Sequence, residues 1–123
     1  AAQDFIKRLN IVTNSMEKDV AKLSGGNQQK VVLSKCLFAE TDLLILDEPT
    51  RGIDVGAKSE IYNIIRALAR EDKSIIIFSS ELPEILNSCD RIFLLYDGKI
   101  KAELVNDNNL DSEKIIHLVT GGE

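Results

Sequence analysis

The sequence predicts an α/β fold: a mainly parallel sheet with crossover helices and an antiparallel hairpin edge. Two apolar runs, Leu43–Leu46 and Ile75–Phe78, read as buried parallel strands. Between them Ile61, Ile64, Ile65 and Leu68 recur at i, i+3, i+4, i+7, the spacing of an amphipathic crossover helix. The dipeptide Asp97-Gly98, flanked by apolar segments, suits a two-residue hairpin turn.

In chain order, Val32, Leu33, Cys36 and Leu37 predict a helix from Ser24 to Ala39, with Ser24 as its N-cap. Leu43–Leu46 then forms a strand expected to be buried on both faces, delivering Asp47, Glu48 and Pro49 at its C-terminal end. Asp54 caps a helix from Val55 to Arg70. After the second strand, Pro83 sits in the first turn of a short helix carrying Ile85 and Leu86. Ile92–Tyr96 is a third apolar strand, followed across the turn by Ile100, Ala102 and Leu104 in alternation. A polar loop, Asn106 to Asn109, precedes a last helix with Leu110, Ile115, Ile116 and Val119, ending near Gly121.

At 123 residues the chain suffices for one small domain. No apolar stretch reaches the roughly 20 residues of a membrane helix, so no direct membrane span is expected. Twenty acidic residues against 15 basic ones give a net charge of -5, which argues against general nucleic-acid binding. Cys36 and Cys89 stand far apart with no Cys or His at metal-ligand spacing, as expected of reduced thiols in the cytoplasm. No secretion leader opens the chain, and its start, Ala1 to Phe5, looks like a cut inside a longer protein.

The chemistry begins at Leu23-Ser24-Gly25-Gly26-Asn27-Gln28. Two glycines behind a capping serine leave a helix N-terminus bare, with backbone N–H groups open to a phosphate. An ordinary capped helix would read the same way in isolation. About twenty residues on, however, a strand delivers Asp47 and Glu48 side by side. One carboxylate can hold a hydrated Mg2+ bound to nucleotide phosphates, and its neighbour can orient or deprotonate the attacking water.

Together these motifs resemble the ATPases of ABC (ATP-binding-cassette) transporters, a branch of the P-loop NTPase fold. Leu23–Asn27 is similar to the signature motif, Leu43–Glu48 to the Walker B strand with its catalytic glutamate, and Gly52-Ile53-Asp54 to the D-loop. The resemblance runs from about Leu9 to Ile116. The strings Asn27–Lys30, Arg51–Lys58 and Ser79–Glu84 look like the second cassette of bacterial monosaccharide importers of the ribose, galactose and xylose type.

The resemblance implies that residues 1–123 are the C-terminal portion of one nucleotide-binding domain, the closing part of a two-cassette polypeptide. It implies an ATPase that is cytoplasmic and peripheral on the inner face of the membrane, with ATP and Mg2+ as cofactors. Its partners would be a second nucleotide-binding domain and transmembrane permease subunits. Leu23, Ser24, Gly25, Gly26, Asn27 and Gln28 would contact ATP held by the opposite cassette, and Asp54, besides capping its helix, would reach across the dimer. Asp47 would hold Mg2+ through water and Glu48 would be catalytic.

Two departures qualify this picture. Ser80 stands where such ATPases place a switch histidine, and a hydroxyl carries no positive charge to a phosphate. The sole histidine, His117, lies in the last predicted helix, where a solvated or packing role is expected. No pair of glycines has the spacing of a phosphate loop followed by Lys and Ser or Thr, so the Walker A cradle is absent and the isolated chain is expected to be inactive. The alternatives are an ABC-type ATPase of DNA repair, chromosome organisation or translation, and a catalytically degenerate, regulatory cassette.

Overall fold

The computed structural model of the chain describes residues 2–8, 11, 24–107 and 109–120. The chain divides after Phe78 into two units, each with its own core.

The first unit holds α1 (Ala2–Arg8), α2 (Gly25–Phe38), β1 (Leu43–Asp47), α3 (Val55–Arg70) and β2 (Ser74–Phe78). Helix α1 had no counterpart in the sequence reading. Helices α2 and α3 start at the predicted caps: the Asn27 N–H donates to Ser24 Oγ (3.3 Å), and the Ala57 N–H donates to Asp54 Oδ1 (3.0 Å). Each side chain satisfies a first-turn amide that has no intrahelical acceptor. Both helices end without glycine, through left-handed Glu40 and Asp72 one residue beyond the C-cap.

Strands β1 and β2 pair in parallel, Leu43 opposite Ser74 through Asp47 opposite Phe78, with α3 as the crossover. Leu44 and Leu46 join Leu33, Leu37, Ile61, Ile65 and Leu68 in the core, with Ile75 and Ile77 packed against it. The predicted burial of β1 on both faces is corrected here: Leu43, Ile45, Ile76 and Phe78 on the other face are 46–61% exposed. A strand buries a face only where another layer covers it. Both helices contribute to one core, and among the described residues that core takes one face of the pair.

The second unit holds α4 (Leu82–Ser88), β3 (Arg91–Tyr96), β4 (Lys99–Val105) and α5 (Ser112–Val119). Asp97 and Gly98 both have positive φ, 50° and 73°, which matches a turn of the primed hairpin type. The tight turn commits one edge of β3 to β4. Among the described residues the hairpin forms an antiparallel two-stranded sheet of its own, and the expected third parallel pairing is not among the ladders. The α/β class holds, with parallel and antiparallel pairing both present. Ile92, Leu94 and Ile115 form the core, with Leu82, Ile85, Leu86 and Leu104 packed against them.

Polar groups close this unit. The Asn106 side-chain amide, in the predicted polar loop, donates to the carbonyls of Leu86 (2.9 Å) and Cys89 (2.7 Å), satisfying the end of α4. Asp111 caps α5 by accepting from the Glu113 N–H (2.9 Å). Helix α5 ends at Val119; the expected end near Gly121 lies outside the described residues.

Candidate functional site

The predicted site residues of the first unit gather at the N-terminal ends of α2 and α3 and at the exit of β1. Ser24 and Gly25 are exposed, Gly26 is buried, and Asn27 and Gln28 are half-buried. Ser24 accounts for the amides of Asn27 and Gln28, the latter through its carbonyl (2.8 Å). The amides of Gly25 and Gly26 come earlier in the turn, where a helix offers no acceptor of its own. Leu23 lies outside the described residues.

The two glycines differ in what confines them. A Cβ at Gly26 would come within 2.8 Å of the Ala57 Cβ on α3, closer than real side chains approach. At Gly25 a Cβ would meet only the Gly52 carbonyl at 3.7 Å and Ile53 Cγ1 at 3.9 Å, ordinary contacts. Gly26 is therefore required by packing. Gly25 is not: a Cβ there would make only ordinary contacts, and the residue is exposed to solvent. The same distances bring the Ser24–Gly26 tip against the Gly52–Asp54 loop, two segments 26 residues apart in sequence.

Asp47 ends β1 on its exposed face, in register with Phe78. Glu48 then turns the chain: its φ is 48°, and its N–H donates to the Phe78 carbonyl at 2.8 Å. A non-glycine residue in the left-handed region is uncommon, and such conformations concentrate at functional positions. The Glu48 side chain is 21% exposed, and its Oε1 lies 3.9 Å from the Arg51 guanidinium. Amides of Arg51 and Ile53 donate to the carbonyls of Glu48 and Thr50, both at 3.2 Å, so the loop is held by its own backbone. Gly52, at φ 74°, supplies the bend that returns the chain to Asp54.

Ser80 lies in the second unit, exposed, before α4. The neighbouring Ser79 Oγ accepts from the Glu81 N–H at 3.0 Å. His117 is exposed on α5.

The side chains at the exit of β1 are carboxylates, oxygen donors of the kind that suit a hard cation such as Mg2+. Among the described residues no group of three or more His, Cys, Asp or Glu could enclose a metal. A single exposed carboxylate such as Asp47 is the kind of ligand Mg2+ takes when phosphates and water complete its shell. The open Gly25 tip is likewise a phosphate-compatible surface.

Three contacts were not read from the sequence. The Lys30 ammonium, at 3% residue exposure, pairs with the Glu60 carboxylate; Ala57 abuts Gly26; and Arg51 stands beside Glu48. The only sequence trace of the first is that Lys30 lies four residues after Gly26, on the same helix face.

The fold is similar to that of solved ATP-binding cassettes. Residues 1–51 match the family described as ABC transporter. The fold superposes on a nucleotide-free ATP-binding cassette from an ABC transporter with a TM-score of 0.82 and 23% identity, over 99% of this chain and 49% of that one. The chain is homologous to sugar import ATP-binding proteins. It is 53% identical to the xylose import ATP-binding protein XylG of Histophilus somni (strain 129Pt), over 90% of this chain and 22% of the relative. It is 56% identical to the L-arabinose transport ATP-binding protein AraG of Geobacillus stearothermophilus, over 97% of this chain and 23% of the relative. The chain thus spans about a quarter of the length of these curated relatives. No described helix is long and apolar enough to cross a membrane.

Proposed function

We propose that this chain is the C-terminal portion of one nucleotide-binding domain in the ATP-hydrolysing subunit of a monosaccharide importer. The carrying observation is the juxtaposition of an open, serine-capped glycine tip with the loop that follows an acid pair, in a chain about half identical to sugar import ATP-binding proteins.

In this reading the Ser24 hydroxyl and the Gly25 and Gly26 amides bind the terminal phosphate of ATP held by a partner cassette, with Asn27 and Gln28 shaping the same turn and Leu23 preceding it. Asp47 holds Mg2+ through water; the ion neutralises phosphate charge when bound. Glu48, pinned by its left-handed backbone, orients the attacking water and takes its proton. Gly52, Ile53 and Asp54 carry the loop to the partner cassette. The main phosphate loop belongs to sequence outside this chain, and transmembrane permease subunits receive the work at the inner face of the membrane.

Replacing Glu48 by Gln in the complete protein tests this reading. It keeps size and hydrogen bonding but removes the base, so steady-state ATP turnover should fall at least about a hundredfold while nucleotide binding persists. Unchanged turnover would overturn the assignment. A second reading, a regulatory cassette with a weak site of its own, draws support from Ser80, whose hydroxyl brings no positive charge to a phosphate.

A further inference from the structure

The seam between α2 and α3 contains a charge where packing alone would serve. Gly26 and Lys30 lie four residues apart on one face of α2, and Ala57 and Glu60 three apart on one face of α3. Gly26 lies against Ala57, and one turn further along both helices Lys30 pairs with Glu60. Leu33 and Ile61, both fully buried, then join the common core. The contacts advance in step from the N-terminal ends, so the seam begins where Ser24–Gly26 meets Gly52–Asp54.

Lys30 is almost wholly buried, whereas Glu60 is half-exposed. A lysine ammonium is stripped of water only where a partner replaces that hydration, and the pairing then fixes one relative placement of the two helices. An apolar pair would permit small slides along the seam; a contact at Gly26–Ala57 that leaves no room for a Cβ and a directional bond one turn away oppose them. We propose that the Lys30–Glu60 ion pair is a positioning device that locks the signature tip to the D-loop of the same cassette, so both segments reach the partner cassette's ATP as one unit. This deepens the proposed function and rests on it.

The test uses the complete protein and measures kcat and half-saturating ATP separately for Glu60→Gln, Lys30→Met, Lys30→Arg and the double variant Lys30→Met/Glu60→Gln. If the pair positions the tip, Glu60→Gln and Lys30→Met each raise half-saturating ATP about tenfold, the double variant is no worse than the worse single one, and Lys30→Arg stays within about threefold of the parent. A purely structural pair would lower the melting temperature and leave half-saturating ATP of the folded fraction unchanged, which overturns the proposal. Should Lys30→Met not fold, Glu60→Gln at its half-exposed position still decides. Gly25→Asp serves as control for the underlying reading. If it leaves turnover intact, that reading fails and this proposal with it; if it abolishes turnover while Glu60→Gln and Lys30→Met do nothing, only the positioning role fails.

Discussion

Gly25 and Gly26 stand side by side in a motif that does not distinguish them, yet their surroundings assign them different duties. Gly26→Ala forces two Cβ atoms to 2.8 Å and should cost about 1–3 kcal/mol, read as a lower midpoint in urea unfolding of the chain. Gly25→Ala meets only ordinary contacts and should change the unfolding free energy from the same experiment by less than about 1 kcal/mol, since a helical alanine also gives up less backbone entropy than glycine. Cys89 offers a second residue-scale test. Burial first, then the nearby Asp90 and Glu84 carboxylates, pushes its thiol from an ordinary 9.0 up to about 11. Site-resolved alkylation at pH 7 should therefore be about a hundredfold slower than for an ordinary thiol, because only the thiolate reacts. The folded chain holds this proton after the unfolded chain has released it. The thiol's contribution to stability is then full below pH 9 and declines as pH rises from 9 through about 11.

Among the elements, helix α3 was the most legible, found from Val55 to Arg70 as predicted because its cap and its apolar period agree. Both helix ends fell where expected, α3 at Arg70 and α2 within one residue of Ala39, although the left-handed Glu40 and Asp72 that close them carry no sequence mark comparable to glycine. The hairpin turn was legible from Asp97-Gly98 alone. Gly98→Val places a β-branched residue at φ 73° and should lower the stability of the second unit by about 1 kcal/mol or more, followed by near-ultraviolet spectra of Tyr96 during thermal unfolding. The continuous apolar runs were misread as doubly buried strands, because periodicity reports which residues can be buried and not which layers are present to bury them.

For the whole molecule, two units each close a core, and the first leaves Leu43, Ile45, Ile76 and Phe78 exposed on one sheet face. The chain carries a tip suited to phosphate but no Gly-x4-Gly-Lys-Ser/Thr cradle. Titration of this chain with ATP and Mg2+ should accordingly show no binding tighter than about a millimolar dissociation constant, roughly 4 kcal/mol, and no phosphate release. Micromolar binding would contradict the division of labour proposed above.

The amino-acid sequence by itself determined the α/β class, the two helix caps, the hairpin turn and the order of the Ser24–Gln28, Asp47-Glu48 and Gly52–Asp54 strings. Each of these is written in residues close together along the chain, where local sterics and hydrogen bonding act. Tertiary structure alone decided which glycine has room for a side chain, which lysine is buried against which glutamate, and which face of β1 is covered. Those outcomes depend on contacts between segments about thirty residues apart, whose distances are set by how helices and strands pack and leave no periodic trace in the chain.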